Sequence, residues 1–194
     1  MSAYPPPPDV IEGRIAWIFG DDFDIDLVVG VSNIKSYDPD HLRSVCMHAY
    51  DPGFVDRVRQ GDIVVGGRNF GYGHPHYPPM VALRNAGIAA IVAESFSPGF
   101  WRGETFNGMP LITVPGVSTA VATGDSVTLD WRSATLRTDD GTELVGSPPN
   151  PRTVAVIEAG GSYELLIAEH QLTQQSLVQQ SLAQQSLVQQ GQPT

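Results

Sequence analysis

The sequence predicts a mixed α/β fold with parallel and antiparallel strands in one domain, and three observations predict it. First, the apolar run "DIVVGG" (62–67) enters a glycine-rich turn, a proline-started helix follows, and "IAAIVAES" (88–95) comes next. Strand, loop, helix, strand is one βαβ unit, whose crossover is normally right-handed. Second, "IAAIVAES" is apolar without alternation, as expected of a strand covered on both faces. Third, "SVTLDW" (126–131) and "ATLRT" (134–138) follow one another closely, with a turn signal at Asp140-Gly141. A chain of 194 residues is long enough for one domain with a real core and short for two.

The elements follow in order. Pro5 to Pro8 form an uninterrupted proline run, so residues 1–10 read as an extended polyproline arm outside the core. "GRIAWIF" (13–19) has the β-branched and aromatic content of a strand, and "DLVVGV" (26–31) is a second apolar run. Asp38-Pro39 and Asp51-Pro52 each offer an N-cap followed by proline at the first helical position, so short helices should follow both. Pro78-Pro79 starts the helix "MVALRNA", and Gly87 stops it from the C-cap position. "SFSPGFWRGETFNGMP" (95–110) reads as a loop leading into the strand "LITV". "PRTVAVIEAGG" (151–161) reads as a final helix ending at Gly160, which places the domain at 11–168.

Beyond it, "QLTQQSLVQQSLAQQSLVQQ" (171–190) repeats every five residues and spaces Leu172, Leu177, Leu182 and Leu187 equally. On a helix each such step turns the next leucine by roughly 140°, so no apolar stripe forms. Residues 169–194 are therefore expected to be a glutamine-rich, low-complexity tail, partly helical at best and without catalytic content.

Composition narrows the function. The formal net charge is -10, and Lys35 is the only lysine, which argues against nucleic-acid binding through a basic face. Cys46 is alone, so neither a disulfide framework nor a thiolate set for zinc or an iron–sulfur cluster is available in this chain, and no metal ligands are assigned. "MSAYPPPPDV" lacks the basic and apolar regions of a signal peptide, and the apolar runs fall short of a membrane span. A cytoplasmic setting without membrane contact is the expectation. Trp17, Tyr50 and Trp131 read as packing residues, and Cys46 as a small buried hydrophobe.

The chemistry concentrates in "GGRNFGYGHPHYPPMVAL" (66–83). A glycine-rich turn entering a helix suits an anion, which the free N–H groups of the helix start attract. His74 and His76 beside it admit three readings: packing in a loop without function, acid–base chemistry, or a metal held with Asp22, Asp24 or Asp26. The aspartates after the first strand also admit simple turn capping, the favoured reading for Asp21 and Asp22.

Several blocks taken together, "GRIAWIFGDDFDID", "GDIVVGGRNFGYG", "GIAAIVAESF", "GMPLI" and "IEAGG", resemble the small subunit of 3-isopropylmalate dehydratase, the swivel domain of the aconitase superfamily in its compact archaeal-type form. The resemblance runs from about Gly13 to about Gly161. It implies an aconitase-type swivel domain, a β/β/α arrangement of a mixed sheet or barrel with flanking helices. It also implies docking on a separate large subunit that carries a four-iron four-sulfur cluster, the pair removing and re-adding water on a small hydroxy-carboxylate.

The family reads Gly-x-Gly-Ser-Ser-Arg-Glu-His-Ala at the turn, the first serine being the base and the arginine the grip on a substrate carboxylate. Here Gly71 and Gly73 are kept, while His74 stands at the base position, Pro75 at the second serine and His76 at the arginine. Gly103 and Phe106 replace asparagines, and Ile25 replaces the threonine between Asp24 and Asp26. The resemblance thus implies His74 as general base, with Gly71, Tyr72, Gly73, His76, Asp24 and Asp26 around the substrate. It also places Ser32 and Asn33 in a substrate-choosing loop. Loss of the Ser-Ser-Arg triplet keeps a second expectation open, a non-catalytic swivel subunit that only shapes its partner's pocket.

Overall fold

β1 (Val10–Ile18) is the seam of the molecule. In the computed structural model, which describes residues 4–190 and the side chains of 4–179, its first half pairs antiparallel with β5 (Ser126–Asp130) and its second half parallel with β2 (Ile63–Gly66). Parallel pairing continues to β3 (Ala90–Ala93) and β4 (Leu111–Thr113), and antiparallel pairing to β6 (Thr135–Thr138) and β7 (Glu143–Val145). The order β4-β3-β2-β1-β5-β6-β7 makes one curled sheet of seven strands. Its two edges meet where the Ser147 N–H donates to the Thr113 carbonyl at 3.0 Å. Gly146 permits that approach, because a Cβ there would lie 2.0 Å from the Thr113 oxygen.

Alternation along the strands divides the core in two. Ile11, Ile15, Ile63, Val65, Val92, Trp131 and Leu136 fill the concave side of this half-barrel. Val64 and Ile91 point the other way, against the helical layer, so the strands are apolar on both faces. That layer holds α1 (Pro39–Val45), α2 (Phe54–Arg57), α3 (Pro78–Ala86) and α4 (Pro98–Phe106). Phe19, Phe23, Phe70 and Phe100 pack beneath it with ring centroids 4.2 to 5.9 Å apart. α5 (Val117–Ala120) and α6 (Pro151–Glu158) complete the domain.

Local chemistry explains where the elements fall. Asp38 caps α1 as expected, its Oδ1 accepting from the N–H groups of Asp40 and His41. Asp51 does not cap a helix directly: its Oδ1 accepts from Gly53 N–H at 3.1 Å, and α2 starts only at Phe54. The apolar run 26–31 is no strand but lies in two 3₁₀ turns, Ile25–Val28 and Val31–Asn33, the first capped by Asp24. The expected loop 95–110 contains α4, begun by Ser97-Pro98 and anchored by Phe100, which is 1% exposed. Burying that phenyl ring contributes about 2–3 kcal/mol, which offsets the two glycines in its sequence.

Both chain ends differ from expectation. The arm lies along the domain: the Tyr4 ring covers the Arg84 guanidinium at 4.3 Å, and the Pro8 carbonyl accepts from Trp131 Nε1–H at 2.8 Å. At the other end α6 stops at Glu158, glycines 160 and 161 break the chain, and α7 (Ser162–Gln190) begins. This helix runs without interruption through 169–190, because Gln, Leu and Ala favour helix and no Gly or Pro intervenes before Gly191. Leu172 and Leu177 stay exposed on it, consistent with the missing apolar stripe. Among the described residues no helix is long and apolar enough to cross a membrane.

Candidate active site

The loops that leave β1, β2 and β3 meet at the carboxyl ends of the parallel strands, where open α/β sheets bind ligands. They are joined by main-chain hydrogen bonds. Phe19 N–H donates to Val65, Gly67 N–H to Phe19, Asp22 N–H to Arg68, and both Gly71 and Tyr72 N–H to Phe23. Asp21 accepts from Arg68 three times, from its backbone N–H and from Nε and Nη2, at 2.7 to 2.9 Å. Those backbone and side-chain bonds from Arg68 hold the Asp21 carboxyl below the usual carboxylate range. Asp22 accepts from Asn69 Nδ2, so the first two aspartates fasten one loop to the next.

Asp24 and Asp26 act differently. Asp24 Oδ1 accepts from Asp26 N–H at 3.0 Å and so caps the turn that presents Asp26. Asp26 is 8% exposed, and both of its oxygens go to His76, fifty residues later in the chain. Oδ1 accepts from the His76 backbone N–H at 3.0 Å, and Oδ2 lies 2.7 Å from His76 Nδ1. The His76 side chain keeps 37% of its surface exposed. His74 is exposed, and its ring meets that of His76 edge-on with centroids 5.3 Å apart.

The turn itself is rigidly framed. Gly71 has φ +79°, its carbonyl accepts from Ser97 Oγ at 2.6 Å, and a Cβ there would sit 2.2 Å from the Phe100 ring. Gly73 lies over Asp24, whose Oδ2 would be 3.4 Å from a Cβ at that position. The backbone anion cradle expected here is largely spent. Gly71 and Tyr72 give their N–H groups to Phe23, Pro78 and Pro79 have none, and Met80 N–H bonds the Tyr77 carbonyl at 3.1 Å. The helix start itself has little to offer an anion, and the loop N–H groups of Gly73 and His74, which donate to no acceptor among the described hydrogen bonds, are what remains of the cradle.

Asp24, Asp26, Gly71, Tyr72, Gly73, His74 and His76 are thus brought into one place. Ser32 is exposed on the neighbouring 3₁₀ turn. Asn33 is occupied at both ends of its amide, Nδ2 donating to Val29 and Oδ1 lying 3.0 Å from His41 Nε2. Ser97 and Phe100, which hold Gly71, went unnoticed in the sequence because the segment that carries them reads as a loop. Among the described residues no group of three or more His, Cys, Asp or Glu could hold a metal ion.

No family model matches the chain. It is 39% identical over 162 residues to a protein of Methanopyrus kandleri named 3-isopropylmalate dehydratase small subunit 1, covering 83% of this chain and 95% of that one. It is 37% identical over 153 residues to the methanogen homoaconitase small subunit of Methanothermobacter thermautotrophicus, covering 78% of this chain and 88% of the relative. With the isopropylmalate/citramalate isomerase small subunit of Methanocaldococcus jannaschii it shares 33% identity over 153 residues, 78% of this chain and 90% of the other. The crystal structure of a 3-isopropylmalate dehydratase from the same organism superposes with a TM-score of 0.78 at 27% identity, over 86% of this chain and 99% of that one.

Proposed function

The chain belongs to the 3-isopropylmalate dehydratase small-subunit family, and we propose that it is the small subunit of a two-subunit hydro-lyase that removes and re-adds water on a hydroxy-carboxylate. One observation carries this reading: relatives of that name are matched over nearly their whole length, and the polar groups of the matched fold gather at the carboxyl ends of the parallel strands. Relatives named for 3-isopropylmalate, homoaconitase and citramalate chemistry make a small hydroxy-acid with two or three carboxylates the substrate class.

This chain's own residues do not fit an iron–sulfur cluster. Cys46 is its one cysteine, it is 2% exposed, and burial pushes its thiol up to about 12. In this reading the cluster belongs to a large subunit, where it would supply the Lewis acidity that draws off a hydroxyl. The small subunit's share is the proton on carbon, and the His74-Pro75-His76 segment supplies the group that takes it. The nearly buried Asp26 carboxylate, which accepts the His76 backbone N–H and meets the ring at Nδ1, favours this over a subunit that merely shapes its partner's pocket.

The test is co-expression with the iron–sulfur large subunit from the same organism, followed by ultraviolet detection of alkene from 3-isopropylmalate and from citramalate. The complex should turn over at least one of them while neither chain does so alone. A large subunit that is equally active without this chain would overturn the reading.

A further inference from the structure

We infer that the two histidines have exchanged the roles that their positions in the sequence suggest: His76, held by Asp26, is the base, and His74 meets the substrate's carboxylate. The inference rests on the hydro-lyase reading above and deepens it.

Geometry carries it. Asp26 Oδ1 already accepts the His76 backbone N–H, and its Oδ2 stands 2.7 Å from Nδ1. A carboxylate can only accept, so Nδ1 carries the proton, and in the neutral ring Nε2 is left to present a lone pair. In water a free imidazole has no such commitment, whereas here both the tautomer and the ring direction are fixed. Asp26 is itself fixed, since Asp24 caps its N–H and the residue is only 8% exposed. Its charge also compensates the one that appears on the ring when Nε2 takes up a proton.

His74 has no comparable support among the described hydrogen bonds, and its side chain lies at the surface. Neither nitrogen of the His74 ring is committed to a partner among the described hydrogen bonds. The ring is suited instead to donating a hydrogen bond to an anion at the turn. Arg68 is engaged with Asp21, and the backbone donors of Gly71, Tyr72 and the helix start are taken or missing, which leaves the Gly73 and His74 N–H groups beside the His74 ring.

Nε2 of His76 removes the proton from the carbon next to the carboxylate. The C–H electron pair becomes the second bond of the alkene, the C–O bond breaks, and hydroxide departs on the partner's side. Rehydration is the reverse, with the imidazolium returning the proton. Asp26 touches no reacting atom and is a positioning residue.

Two measurements test this. The first is nitrogen-15 NMR of histidine-labelled chain, which needs no substrate. His76 should appear as the Nδ1–H tautomer, and Asp26→Asn should convert it to Nε2–H, because an amide can donate where the carboxylate accepted. The second is steady-state kinetics of the reconstituted complex on 3-isopropylmalate and citramalate. His76→Ala and Asp26→Asn should each lower kcat by about 10²-fold or more, while His74→Ala should chiefly raise KM. His76→Ala alters a ring that is partly at the surface, so it remains informative if Asp26→Asn fails to fold. An Nε2–H tautomer in the wild-type chain, or a kcat loss confined to His74→Ala, would overturn the exchange. If the tautomer is as expected but the wild-type complex is inactive on both acids, the hydro-lyase reading fails instead.

Discussion

The parallel and antiparallel halves of the sheet share β1, yet their loops are built on opposite plans. In the antiparallel half each turn satisfies itself. Asp130 Oδ1 accepts from the N–H groups of Arg132 and Ser133 three residues or fewer away, and Asp140 Oδ1 accepts from Thr142 N–H and the Thr138 hydroxyl. Ser133 and Thr138 respectively hold these two carboxyls below their ordinary range. In the parallel half the carboxylates reach across the chain, Asp21 to Arg68 over 47 residues and Asp26 to His76 over 50. Self-contained turns close a barrel, whereas loops that satisfy one another converge and can hold a side chain in a chosen direction. The difference teaches where chemistry can reside, and it can be broken or sharpened by substitution.

The largest effect is expected at Gly71. Gly71→Ala combines a clash with the Phe100 ring at 2.2 Å and a left-handed φ of +79°, and it should cost roughly 3–5 kcal/mol with loss of turnover. Gly141 in the antiparallel half has φ +88° but open space around it. Gly141→Ala should therefore cost only about 1–2 kcal/mol in urea unfolding and leave kcat as it is. Similar losses at both sites would erase the distinction.

A pH effect of intermediate size is expected from the helical layer over the parallel half. Burial pushes the Glu104 carboxyl up to about 7, only partly opposed by Arg84 and by Asn107, and its Oε2 and the Arg84 Nε have no hydrogen-bond partner. Here the folded state holds its proton more tightly than the unfolded chain. Stability from this group is present at pH values below the unfolded carboxyl range and declines as pH rises from there to about 7, by up to about 3 kcal/mol. Glu104→Gln should flatten that decline between pH 5 and pH 8 in thermal melts. An unchanged slope would refute the assignment.

The smallest effect is expected at Asn150, which caps α6 far from the converging loops by accepting Thr153 N–H at 2.9 Å. Asn150→Ala should lose about 1 kcal/mol of stability with kinetics intact.

How much of this was legible beforehand follows the same division. The apolar runs of β1, β2 and β3, the proline-started α3 and its Gly87 stop could be read from pattern and propensity, because their causes are local. α4 was not legible, since two glycines and a proline look like a loop until Phe100 is seen against Gly71. The helix through 169–190 was under-read because an absent stripe says nothing against helical propensity. At the site the important residues were visible one by one. Their connection was not, because no pattern in the sequence ties Asp26 to a ring fifty positions away. The glycine-rich cradle was legible only in part, because no pattern shows that Gly71 and Tyr72 commit their N–H groups to Phe23 while Gly73 and His74 do not.

The most direct test of the central claim, that this chain takes the proton from carbon through the loops of its parallel half, is solvent deuterium exchange. The reconstituted complex would be incubated with 3-isopropylmalate or citramalate in heavy water, and label entering the acid would be followed by mass spectrometry. The account predicts exchange by the wild-type complex and by His74→Ala at saturating acid, with exchange by His76→Ala reduced about 10²-fold or more. Undiminished exchange by His76→Ala would contradict the assignment of the base, and undiminished exchange by a His74→Ala, His76→Ala double variant would place the base on the large subunit.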